Sequence, residues 1–168
     1  AVLAPMLIAA VGILLSVIGI FMVRTRNGAT MKELLRSLGL GTNTSALLIA
    51  GATFFILYLI GIENWLGISF SVISGLVAGV IIGQATEYYT SQTYKPTRDI
   101  AAASQTGPAT VIIKGIGTGM ISTTVPVITI GIAILMSYLC ANQFNLGLNA
   151  HSMSMGLYGI GIAAVGML

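Results

Sequence analysis

The chain has 168 residues, of which 56% are hydrophobic and only 7% charged, and its formal net charge is +3. Soluble domains carry about 25% charged residues, so this composition excludes a water-solvated globule and predicts an integral membrane protein. The single cysteine, Cys140, excludes an internal disulfide and reads as a small apolar residue near a helix end.

The first apolar run, 4–23, is uncharged, with Pro5 in the first turn, where a missing N–H costs little. No basic region precedes it, which argues against a signal peptide. Residues 24–36 set Arg24, Arg26, Lys32 and Arg36 against Glu33. That positive excess predicts a cytoplasmic loop and a chain that starts outside. The segment reads as solvated, with lipid headgroups adding a weak contact per charge.

A second span is expected over 44–62, with Thr42, Asn43, Thr44 and Ser45 as candidate N-caps. It leads to an external turn holding Glu63, a headgroup-level charge rather than an ion ligand, and the interfacial Trp65. The third span, 68–87, places Gly75, Gly79 and Gly83 on one helical face. Such a face lets a second helix approach backbone to backbone, or leaves room for one that moves.

Residues 88–110 are cytoplasmic by the same rule, since Lys95 and Arg98 outnumber Asp99. Tyr88, Tyr89 and Tyr94 beside those bases fit a membrane-interface belt, and phosphate or nucleotide contact is the alternative. A short helical turn is expected over 100–104. The fourth span, 109–139, is long: about 31 residues rise about 46 Å against a hydrocarbon core of about 30 Å. Its start, with Lys114 and Gly115, Gly117 and Gly119, is expected to project into the cytoplasm, and Pro126 to kink it where Ser122 and Thr123 help satisfy freed carbonyls. Lys114 then snorkels or pairs with Glu87; an ion pathway is the other reading.

Residues 140–152 are polar and lack Lys and Arg, which predicts an external loop. His151 there has no partner spacing for a metal. A fifth run, 153–168, carries Gly156, Gly159, Gly161 and Gly166, a density that suits a helix buried against others. It is short for a bilayer crossing, so the chain reads as an excerpt of a larger membrane protein.

No phosphate-binding glycine loop, zinc motif or nucleophile elbow is present. Glu33, Glu63, Glu87 and Asp99 are scattered, with no two at helical spacing on one span. No catalytic, cofactor-binding or metal-ligating residue is assigned. Taken alone, the residues describe a glycine-rich helical scaffold, which half of a secondary transporter or a channel would also match.

One ordered set of motifs goes further. Gly83-Gln-Ala-Thr-Glu-Tyr-Tyr-Thr-Ser91, Tyr94-Lys-Pro-Thr-Arg-Asp-Ile-Ala101, Ser104-Gln-Thr-Gly-Pro-Ala-Thr110 and Ile113-Lys-Gly-Ile-Gly-Thr-Gly119 resemble membrane-bound pyrophosphatase. The resemblance covers essentially the whole chain. It implies an all-α polytopic transmembrane bundle, with about five spanning helices here out of about sixteen in the family. It further implies magnesium-dependent pyrophosphate hydrolysis on the cytoplasmic side, coupled to pumping of Na+ or H+ out of the cytoplasm. K+ is a further cofactor it allows. A homodimer in the lipid bilayer is implied, with no nucleic-acid partner. The family's catalytic acids lie outside the matched stretch, so residues 1–168 are expected to form one membrane-embedded segment that is inactive alone.

Overall fold

The computed structural model describes residues 3–24, 30–61, 64–142 and 150–167, and every regular element among them is an α-helix. In chain order these are α1 (Leu3–Ile20), α2 (Met31–Ile60), α3 (Trp65–Thr90), α4 (Lys95–Ala103), α5 (Pro108–Ser122), α6 (Thr124–Ala141) and α7 (Ala150–Met167). A helix satisfies its backbone internally, which lipid demands. Four stretches are long and apolar enough to cross a membrane: Leu3–Ile20, Met31–Ile60, Trp65–Ala103 and Pro108–Ala141. The shorter Met153–Met167 is also apolar. The chain is all-α, and its long helices are those of an integral membrane protein.

α2 opens at Met31, not near residue 44 as expected. The Thr30 N–H donates to the Glu33 carboxylate at 3.0 Å, one half of a capping box that satisfies an orphan donor. Thr42 and Thr44, taken as caps from sequence, lie well inside the helix. Their hydroxyls donate back to the carbonyls of Leu38, Gly39, Leu40 and Gly41 at 2.8–3.2 Å. Back-bonding of this kind houses a threonine within a helix without ending it. Residues 31–36, expected as loop, are therefore the first turns of α2. The helix stops at Gly61, whose φ of 69° is left-handed and whose N–H returns to Tyr58 O at 3.3 Å. Glu63 lies outside the described residues.

Two later elements also differ from expectation. α4 runs from Lys95, with Pro96 in its first turn where no hydrogen bond is lost, and is longer than the turn expected over 100–104. The span expected over 109–139 is two helices that meet at Thr123. Pro126 lacks the N–H that would bond the Ser122 carbonyl, which breaks the ladder there. The Ser122 and Thr123 hydroxyls donate to Gly119 and Met120 carbonyls at 2.7 and 2.8 Å, one turn before the freed carbonyl. Val127 N–H then bonds Thr123 O at 3.1 Å and restarts the ladder. α7 begins at Ala150 rather than 153; residues 143–149 and the His151 side chain lie outside the described set.

The chain forms two compact units, Ala1–Val80 with Ile132–Leu168, and Ile81–Gly131. In the first, Ala4, Ile8, Leu57, Ile68, Val72 and Ile162 form a buried cluster flanked by Trp65, Tyr158 and Val165. The Trp65 ring meets Tyr58 and Phe54 edge-on at 5.7 and 6.5 Å. α1 and α2 pack where Gly19 faces Ser45 and Gly41 faces Val23. Most large apolar side chains point outward, Phe21 at 77% and Phe55 at 65% exposure among them. That inverts the soluble pattern and presents a surface for lipid or other helices. The second unit holds the end of α3, all of α4 and α5, and the start of α6.

Candidate functional site

Two constellations stand out, one in each unit. In the first unit α3 lies against both α6 and α7. Ser71 and Ser137 are fully buried at 0% exposure, and their hydroxyls meet. Ser71 Oγ also donates to Gly159 O at 2.8 Å, so one hydroxyl of α3 touches α6 and α7 together. In an apolar bundle such a bond is among the few directional forces that fix helix register. Two turns away, Asn64 Nδ2 donates to Ala141 O at 2.7 Å and closes the end of α6. Cys140 is a half-buried free thiol beside this contact.

Glycines let these backbones meet. A methyl group on Gly75 would stand 2.8 Å from the Ala163 carbonyl carbon, and one on Gly166 would stand 2.7 Å from Val72 O. Gly159 is equally confined, with Ser137 O at 3.1 Å and Ser71 Oγ at 3.2 Å from the same position. Along α3 the confinement then fades. At Gly79 the nearest atoms, those of Met167, stand at an ordinary 3.6 Å, and Gly83 has nothing within 4 Å. The packing face expected from sequence is therefore real at Gly75, loose at Gly79 and open at Gly83. Gly156 and Gly159 of α7 face Tyr138 and Ala141 respectively, whereas Gly161 is open.

The second unit contains the polar corner between α3 and α5. Tyr88 meets Tyr89 and Tyr94 at ring distances of 5.1 and 5.2 Å. Thr97 Oγ1 donates to Tyr89 O at 3.2 Å, and Arg98 Nε donates to Gln92 O at 3.3 Å, which ties α4 back to the end of α3. Thr110 Oγ1 bonds Ala103 O at 3.0 Å across the turn at Gly107, whose φ of 131° only glycine adopts readily. Lys95, Arg98 and Lys114 are exposed, while Glu87 and Asp99 are half-buried. Among the described residues Lys114 and Glu87 form no ion pair, so the pairing expected from sequence is not formed. Gly115, Gly117 and Gly119 of α5 have nothing within 4 Å.

Among the described residues these contacts join helices through buried hydroxyls and close glycine backbones. Magnesium needs converging oxygen ligands, chiefly carboxylates, and among the described residues no three of His, Cys, Asp or Glu come together. Glu33, Glu87 and Asp99 stand on α2, α3 and α4. These residues do not fit a magnesium site, and no catalytic step is assigned to them. The Ser71–Ser137 junction was not singled out in the sequence. Each of its two hydroxyls is one of several in an apolar helix, and others of that kind, Thr53 and Ser69, bond only their own helix at 2.8 and 2.7 Å.

A profile of the inorganic H+ pyrophosphatase family matches residues 1–168, the full chain. The chain belongs to this family. Its sequence is 58% identical over its whole length to a protein of Bacteroides thetaiotaomicron provisionally named a K(+)-stimulated pyrophosphate-energized sodium pump, of which it covers 22%. A similarly named protein of Clostridium tetani is 40% identical over 99% of the chain, which covers 23% of it. A K(+)-insensitive pyrophosphate-energized proton pump of Methanosarcina mazei is 38% identical over 100% of the chain, again covering 23%. The chain thus spans 22–23% of the length of these curated relatives. The motifs between Gly83 and Gly119 that resembled membrane-bound pyrophosphatase are those of a family member.

Proposed function

We propose that residues 1–168 are the middle transmembrane portion of a pump that couples magnesium-dependent pyrophosphate hydrolysis to ion translocation. The observation that carries this reading is the match of the whole chain, at 58% identity, to a protein provisionally named a pyrophosphate-energized sodium pump. Na+ is the favoured cargo, because the relatives matched at 58% and 40% carry the sodium-pump name while the matched proton pumps stand at 38% or below, and K+ stimulation comes with that reading. In it the full-length protein is a multi-pass homodimer in the cell membrane, with segments 24–36 and 88–110 facing the cytoplasm. This portion supplies packed helices as one membrane-embedded segment, and the magnesium and pyrophosphate ligands come from other parts of the protein. A scaffold of a secondary transporter has no comparable observation in its favour.

The test uses inverted vesicles holding the full-length protein. Phosphate release from pyrophosphate should stop on chelating magnesium and rise with K+. Uptake of radioactive Na+ should persist when a protonophore collapses the proton gradient. Hydrolysis without Na+ uptake but with protonophore-sensitive acidification would assign H+ as the cargo, and absence of hydrolysis would end the pump reading. Residues 1–168 alone should release no phosphate.

A further inference from the structure

α2 is longer than a bilayer requires. Its 30 residues rise about 45 Å, against a hydrocarbon core of about 30 Å. Gly19 and Val23, at the end of α1, lie beside Gly41, so residues 31–40 run on past α1 for about 15 Å. This overhang carries Lys32 and Arg36, both exposed and four residues apart, hence on one side of the helix. The Ser37 hydroxyl donates to Arg24 O at 3.2 Å, which holds exposed Arg24 against the same turns. Between the end of α1 and Arg24, Phe21 and Met22 are 77% and 59% exposed and mark the apolar limit of this stretch.

Glu33 is the one carboxylate in this stretch of sequence, and it accepts from the Thr30 N–H at the start of α2. Among the described residues it forms no ion pair. The capping contact thus directs the negative charge at the helix end, and among the described residues Arg24, Lys32 and Arg36 have no carboxylate partner. From Gly41 to Arg36 is about 8 Å along the helix and to Lys32 about 14 Å, the depth of a headgroup layer that long basic side chains reach by bending back.

We propose that Arg24, Lys32 and Arg36 form a binding surface for the phosphates of anionic phospholipid headgroups. A soluble phosphate would satisfy the cations equally well, but the apolar limit at Phe21 and Met22 sets them where lipid phosphates lie. The corner with Lys95, Arg98 and Lys114 differs, because Glu87 and Asp99 accompany its bases. The proposal depends on α2 crossing a membrane and is independent of the pump reading.

The test is native mass spectrometry of the full-length protein, released from nanodiscs of equal parts phosphatidylcholine and phosphatidylglycerol. Wild type should retain phosphatidylglycerol preferentially. Lys32→Gln with Arg36→Gln should weaken that preference about twenty-fivefold, at about fivefold per charge near the surface. Lys32→Arg with Arg36→Lys should keep it, and Lys95→Gln with Arg98→Gln should leave it unchanged. Should the neutral pair fail to insert, Lys32→Gln alone leaves Arg24, Arg26 and Arg36 in place and should show the single-charge loss. Undiminished phosphatidylglycerol retention in the neutral variants, equal loss in the charge-preserving swap, or displacement of the lipid by millimolar inorganic phosphate would each overturn the proposal.

Discussion

Glycine at 75 and glycine at 79 look interchangeable in the sequence, four residues apart on one helix face, yet their surroundings assign them opposite responses to one methyl group. At Gly75 a Cβ would stand 2.8 Å from the carbonyl carbon of Ala163, a backbone atom that cannot swing aside. At Gly79 the nearest atoms are at 3.6 Å, where a methyl group makes ordinary contact. Gly75→Ala should therefore force α3 and α7 apart and cost the full-length protein about 1–3 kcal/mol. Gly79→Ala should be neutral or stabilising by up to about 1 kcal/mol, because alanine loses less backbone entropy in a helix. Thermal unfolding in detergent, followed by size-exclusion of the surviving protein, separates the two. Equal loss at both positions would refute the packing gradient.

Helix ends show where the sequence could be read and where it could not. The apolar runs located α1, α3 and α7 to within a few residues, since lipid leaves helices as the form available to such runs. The start of α2 was misplaced by about one overhang because Thr42 to Ser45 offer cap-type side chains while the real signal, Thr30 followed three residues later by Glu33, sits in a charged stretch that reads as loop. The Ser71–Ser137 contact was illegible for another reason. Its partners are 66 residues apart, and a hydroxyl in an apolar helix does not declare whether it will bond its own turn or a neighbour. The cap makes a direct prediction: Glu33→Ala should cost about 1 kcal/mol of helix stability at the first turn. Hydrogen exchange of the full-length protein should show faster exchange confined to Thr30, whose N–H the carboxylate accepts, and to Glu33 and Leu34, whose N–H groups bond Thr30 O, with the interior of α2 protected as before. Protection unchanged at those amides would mean that the carboxylate contributes nothing to the cap.

At the scale of the whole molecule, the family assignment turns an apolar surface into a constraint on sidedness. Lys32 and Lys95 flank two long apolar helices, α2 and α3, and a chain that crosses the membrane twice returns to the side it left. In the proposed reading that side is the cytoplasm, which the positive excess around Lys32 supports. With Cys140 and any cysteine elsewhere in the full-length protein replaced by Ser, Lys32→Cys and Lys95→Cys should both react with a membrane-impermeant maleimide in inverted vesicles, and neither should react in right-side-out ones. The replacement at 140 is required because that thiol is half-buried rather than shielded. Labelling of the two positions from opposite sides would show that α2 or α3 does not cross, and the overhang of α2 would then have no membrane boundary to project from. Labelling of both from outside would keep the two crossings but invert the pump, since pyrophosphate, a cytoplasmic substrate in the proposed reading, would then approach from the wrong face.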